Sequence, residues 1–191
     1  MDDVGSQAVA LLTVMGIELD DGLTESEMTT TQARFGFEFG ADHRSLLSLS
    51  MPVGPGWVNW RHDSGDQIVE RFHWPTDGIV HEARNNRFWP ASWGGEPQDR
   101  DAAEAIARER VGSWPKLVPV YRNLFAPAAP CPPRAPIFSV SHTDIAYHGA
   151  DLMDFLRRDF LPGYRSWASA GVRHPFDPWG LLACGAEAGE L

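Results

Sequence analysis

Cysteine is scarce in this sequence. Cys131 and Cys184 are the only two among 191 residues, too far apart for a CxxC redox or zinc motif. Without a disulfide framework, a reducing compartment is the default expectation. The opening Met1-Asp2-Asp3-Val4 lacks the basic n-region of a signal peptide. No apolar run approaches the ~18–20 residues that span a bilayer. These shortages predict a cytoplasmic protein. Basic residues are also in the minority, 16 against 26 acidic ones, for a formal net charge of −10. An acidic surface repels phosphate backbones and anionic headgroups, so neither nucleic acid nor a membrane is the expected partner. A basic protein is the partner such a surface attracts, although acidity also serves solubility alone.

What is present is enough for one ordinary domain, residues 1–191, with 43% hydrophobic residues and a sizeable core. Eight Trp and ten Phe stand out. Each removes roughly 150–250 Å² from water when buried, so they either carry the core or form a binding face.

Local signals order the chain. Ala8 to Met15 reads as a helix ending at Gly16. Leu23-Thr24-Glu25-Ser26-Glu27-Met28 combines a capping box (Thr24 with Glu27) and a hydrophobic staple (Leu23 with Met28), opening a helix that runs to about Arg34 and stops at Gly36. Asp42 is placed to cap a third helix bearing Leu46, Leu47 and Leu49. Pro55 to Arg61 reads as a turn and a short aromatic strand. Helical spacing returns from Ser64 to Phe72, and again after Pro75 to Arg84, with Pro75 suited to a first helical turn. Phe88 to Gly95 suggests a brief strand and turn. Gln98 to Val111 is a helix with Ala103, Ile106, Ala107 and Val111 on one face, a Glu104–Arg108 pair, and Gly112 as its stop.

Leu117 to Tyr121 is strand-like, and Pro119 pushes it toward a sheet edge or a position without a ladder bond. Ala126 to Pro136 holds five prolines in eleven residues and predicts an extended loop. Ile137–Ser141 and Ile145–His148 form a hairpin about Thr143-Asp144. Asp151 to Leu161 is an amphipathic helix with acids at its start and Arg157 and Arg158 near its end. Helices first, antiparallel strands later and no βαβ rhythm predict an α+β domain.

The chemical candidates are weak. His142 and His148 flank the hairpin turn with Asp144 and Asp151 near, but the turn leaves their geometry unfixed. His81-Glu82-Ala83-Arg84-Asn85 lacks the second histidine of HExxH. Neither a metal nor another cofactor is expected. There is no GxSxG elbow, no Cys–His motif and no phosphate-cradling glycine loop. In Trp60-Arg61-His62-Asp63, strand alternation would let only Trp60 with His62, or Arg61 with Asp63, cooperate. No catalytic residue is assigned.

The motifs and their order resemble the SMI1/KNR4 (SUKH) family. Gly22-Leu23-Thr24-x-x-Glu27 with Asp42-x-x-x-Leu46-Leu47 resembles the family's opening, and Pro55-Gly56-Trp57-x-Asn59-Trp60-Arg61 its aromatic segment. Leu117-Val118-Pro119-Val120-Tyr121 resembles its L-I-P-V/I strand. Pro136 to Val140, then Thr143-Asp144-Ile145-x-Tyr147-x-Gly149-x-Asp151-Leu152, resembles its hairpin and following helix. The match spans roughly residues 22–160. The proline-rich 126–136 stretch departs from the pattern. Residues 162–191, including Arg173-His174-Pro175-Phe176, are an extension.

The resemblance implies an α+β fold with a central, mostly antiparallel sheet flanked by helices. It also implies an interaction protein without catalytic apparatus. Bacterial members are largely immunity proteins (antitoxins) that bind a cognate toxin, often a nuclease, while fungal members are regulatory proteins linked to cell-wall synthesis and signalling. Under it, Thr24 and Glu27 form a cap, Gly56 and Gly149 serve turns, Asp144 stabilises the hairpin turn, and Phe138 is a core aromatic. Trp57 and Trp60 are expected in the core or its rim, and are carried also as candidate partner contacts. The acidic candidates for the partner surface are Asp20, Asp21, Glu96, Asp99, Asp101 and Glu104. The alternatives are a scaffolding or regulatory interaction protein, and an enzyme of unidentified class.

Overall fold

The N-terminal helical layer follows from local rules. In the computed structural model, which describes residues 3–85, 87–166 and 176–191, α1 (Val4–Val14) begins at Asp3, whose carboxylate accepts from the Ser6 N–H at 3.2 Å. In α2 (Glu25–Phe35), Thr24 Oγ1 accepts from the Glu27 N–H at 3.2 Å while the Thr24 N–H donates to Glu27 Oε2 at 2.8 Å. Leu23 and Met28 are buried, as the staple requires, and Gly36 ends the helix in the left-handed region. α3 (Ala41–Leu49) departs from expectation. Its N-cap is Gly40, without a side-chain cap, while Asp42 sits inside the first turn and accepts from the Arg134 N–H at 3.0 Å. Leu46 and Leu47 are buried but Leu49 is exposed. β1 (Leu19–Asp21) and β2 (Ser50–Pro52) then form a small antiparallel pair.

The two helices expected around Pro75 are one. α4 (Gly65–Arg84) runs through that proline, opened by a Ser64–Gln67 capping box. An interior proline costs about 3 kcal/mol. The helix continues because Ile68, Pro75, Ile79, Val80 and Ala83 make one unbroken buried face. The expected strand at Phe88–Gly95 is instead a short 3-10 turn at Ala91–Trp93, where Trp93 is packed edge-on by Phe88 and Trp89. α5 (Arg100–Gly112) is capped by Asp99. Gly112 is its last residue, and Ser113 is the C-cap.

A second sheet has the antiparallel order β3 (Leu117–Tyr121), β4 (Leu124–Pro127), β5 (Ile137–Ser141), β6 (Asp144–Gly149). Pro119 lies on an edge strand, as its missing N–H demands. Ala126 and Pro127, expected in the proline-rich loop, belong to β4, because both pair with β3. The β5–β6 turn residues are His142 and Thr143. Asp144 opens β6 opposite Ser141 rather than shaping the turn, and the left-handed residue is His142, at φ 54°. α6 (Leu152–Phe160) is capped by Asp151 and buries Leu152, Phe155 and Leu156, and α7 (Trp179–Ala183) lies near the C-terminus. Arg173, His174 and Pro175 fall outside the described residues.

Seven helices and two antiparallel sheets make the described residues an α+β fold. Phe138 and Ile79 centre a core between the four-stranded sheet, α4, α5 and α7. Phe155, Leu12 and Trp57 centre another beneath α1, α3 and α6. Trp60, Phe37 and Met28 centre a third around α2 and the small sheet. No helix among the described residues is long and apolar enough to cross a membrane.

Candidate partner-binding surface

The motif residues converge on one joint. The segment Trp57–Arg61 is not a strand. It makes a single bridge, Trp57 to Tyr121, and then turns about Asn59, whose Oδ1 accepts from the Arg61 and His62 N–H groups at 3.1 and 3.0 Å. Strand alternation therefore does not govern Trp60–Asp63. The turn aims Arg61 back at the second helix's capping box. Its Nε donates to Glu27 Oε1 at 2.6 Å and its Nη2 to Oε2 at 3.1 Å. Nη1 and Nη2 also donate to the Asp21 and Gly22 carbonyls, each at 2.6 Å. The guanidinium, with the Thr24 cap, holds the Glu27 carboxyl down to about 2. Arg61 thus ties the aromatic segment to the capping box and to the end of β1 through a planar fork that an ammonium cannot reproduce. Arg61→Lys is expected to destabilise the fold by on the order of 2 kcal/mol, read as a lower urea midpoint at pH 7. An unchanged midpoint would show the joint to be idle.

Trp57 and Trp60, candidates for partner contact, are each only 7% exposed and are core residues. Trp57 packs on Tyr121 at 4.7 Å and Phe160 at 5.7 Å between centroids, and Trp60 meets Phe37 and Phe39. Their burial removes them from a contact surface. Gly56, at φ 94°, lets the chain pass where a Cβ would lie 2.8 Å from the Tyr121 ring. Gly149 faces the first turn of α6, where a Cβ would stand 2.7 Å from the Phe155 nitrogen.

The acidic candidates differ among themselves. Asp20 is half-buried and Asp21 exposed on β1, beside Arg61. Glu96 and Asp99 are exposed, and the Asp99 carboxylate accepts from the Asp101 N–H at 2.9 Å. Asp101 and Glu104 are already answered by cations. Arg84 pairs with both, and Arg108 joins Glu104 at 3.4 Å and Asp77 at 2.8 Å. So the α5 group is a mixed network of three carboxylates and two guanidiniums. Asp20, Asp21 and Glu96 remain the stronger candidates for facing a cation.

Other polar groups were not evident from sequence. Asp154, on α6, is buried, which pushes its carboxyl up. Donors from Ser166, the Ala150 N–H at 2.8 Å and Tyr164 at 2.7 Å outweigh this and leave it below its usual range. These bonds pin the chain after α6 back onto the helix. His43 is buried against Phe39 and Trp60, its Nδ1 has no hydrogen-bond partner among the described residues, and burial lowers its pKa to about 4. His142 and His148 do not act together. His148 Nε2 meets Asp159 Oδ1 at 2.6 Å, while His142 Nδ1 meets Glu82 Oε1 at 2.8 Å.

A groove of about 300 Å³ runs between the end of α2, α4 and the end of α5, lined in part by Arg34, Phe35, Phe72, Trp114 and Lys116. Lys116 serves the fold. Lys116 Nζ donates to the Phe35 and Gly36 carbonyls at 2.9 and 3.0 Å and lies over the Phe72 ring, so it caps α2. Comparisons with protein-family models, with curated proteins and with solved structures give no match.

Proposed function

We infer that the protein is a non-catalytic binding module of the immunity type, which neutralises a basic toxin by covering its cationic surface. The observation that carries this reading is the charge of −10, with exposed carboxylates at Asp21 and Glu96. The ordered motifs from Gly22 to Leu152, which resemble the SMI1/KNR4 family, support it. Their residues are spent on caps, joints and core, which leaves recognition to the exposed carboxylates. A nuclease toxin is basic where it holds phosphate, and an acidic inhibitor associates with such a groove quickly and with steep salt dependence.

The test is association kinetics with the product of an adjacent gene. Asp21→Asn combined with Glu96→Gln is expected to slow association by about tenfold at low salt and to leave dissociation little changed. Glu104→Gln, whose charge Arg84 and Arg108 already neutralise, is expected to change it by less than about twofold. An association rate indifferent to both salt and the double substitution would overturn the electrostatic reading.

A further inference from the structure

We propose that His81, Glu82 and His142 form a binding site for a divalent transition-metal ion of the zinc class, clasping α4 to the β5–β6 turn. One ligand atom from each of the three residues lies within 4.8 Å of the other two. A metal at ordinary N and O bond lengths of about 2.0–2.1 Å needs its ligand atoms roughly 3 Å apart. His142 Nδ1 and Glu82 Oε1 already stand at 2.8 Å. At those bond lengths that spacing subtends an angle of roughly 85°, the cis arrangement of a five- or six-coordinate ion. His81 is exposed and its ring lies edge-on to that of His142, 5.2 Å between centroids, so a side-chain rotation completes the set.

Three further features favour a built site over a chance meeting. First, α4 approaches the turn at Gly78, where a Cβ would stand 2.8 Å from the His142 Cα, so the backbone itself fixes the distance between helix and hairpin. Second, His142 occupies the left-handed region at φ 54° in a two-residue turn, where glycine or asparagine is the relaxed choice. Such a residue costs about 1–2 kcal/mol. A strained histidine held over a carboxylate is the kind of outlier that marks a functional position. Third, Glu82 is only 13% exposed in its side chain and accepts from His142, which preassembles two ligands. The neighbours are compatible. Asn85 Nδ2 donates to the His81 carbonyl at 2.7 Å and lies 3.4 Å from Nε2, able to orient the ring. Arg87 stands 4.0 Å from the other Glu82 oxygen and is largely exposed, free to swing away. Two imidazoles and one carboxylate suit zinc, cobalt or nickel, and leave at least one position to water.

Titration calorimetry of the full chain with zinc chloride in a non-chelating buffer at pH 7.5 tests this. One equivalent is expected to bind. His142→Gly and Glu82→Gln should each weaken it by about tenfold or more, and His148→Gln, whose histidine pairs with Asp159, should leave it unchanged. His142→Gly relaxes the turn and is expected to keep or raise the thermal midpoint without metal, so lost binding cannot be lost folding. Cobalt added to the wild type should give visible d–d absorption that both variants abolish. Absence of zinc uptake, or uptake that survives both substitutions, overturns the proposal.

Discussion

Replacing Trp57 with alanine is expected to lower the free energy of unfolding by about 3–5 kcal/mol, the range for deleting a large buried aromatic. Trp57 is nearly inaccessible and sits among Tyr121, Phe155 and Phe160, and its backbone makes the bridge that attaches the aromatic segment to the edge strand β3. The cavity would open between the joint and α6, where several rings share their contacts. Because ordinary domains are stable by only about 5–15 kcal/mol, such a variant should show a clearly lower urea midpoint and, in cells, lower abundance. Trp74 supplies the contrast. It is 52% exposed, with one indole hydrogen bond to the Val140 carbonyl at 3.2 Å. Trp74→Ala should cost about 1 kcal/mol or less. If Trp57→Ala kept the wild-type midpoint and lost only partner affinity, the assignment of Trp57 to the core would be wrong.

Mild acid should weaken the fold through His43. The buried imidazole has its pKa lowered from 6.5 to about 4 by desolvation, whereas in the unfolded chain it titrates near its ordinary value. Between those two values the unfolded state binds the extra proton, so stability is fully present above about pH 6.5 and falls as pH drops towards 4. The gap corresponds to ~3 kcal/mol at its full extent. Asp42 works the other way near pH 4, since burial raises its carboxyl and favours its protonated form in the fold. Glu27, held down by Arg61 and the Thr24 cap, loses its contribution only as pH falls from 4.5 towards 2, in a separate window. Urea midpoints measured from pH 7.5 to 4.5 should therefore decline in the wild type and stay nearly level in His43→Leu. Parallel profiles for the two proteins would contradict the assignment of this window to His43.

The elements that sequence reading recovered are those set by neighbours in the chain. The Thr24–Glu27 box, the Leu23–Met28 staple, the Glu104–Arg108 pair and the amphipathic α6 each depend on residues within a few positions, and each is found where it was expected. The failures share a cause too. Pro75 reads locally as a helix start, yet a buried face extending over both halves of α4 overrides it. Asp144 has a turn former's chemistry, but ladder pairing with Ser141 takes it into β6 and leaves the strained turn position to His142. Arg61 looked like a partner for Asp63, because a segment read as a strand hides that it folds back across 34 positions to Glu27. The His81–Glu82–His142 cluster was invisible for the same reason, as 60 positions separate Glu82 from His142. Its only local hint was an HExxH motif missing its second histidine, which the hairpin turn supplies from a distance.

Neutralisation of a basic protein by binding is the proposal to be tested. The most direct measurement is growth of cells expressing each adjacent gene product with and without this chain, followed by calorimetry on the purified pair at low and high salt. The binding account predicts that one such product is basic and toxic, that co-expression restores growth, and that a 1:1 complex weakens steeply as salt rises. A chain that rescues no toxic neighbour and binds none of their products would contradict it.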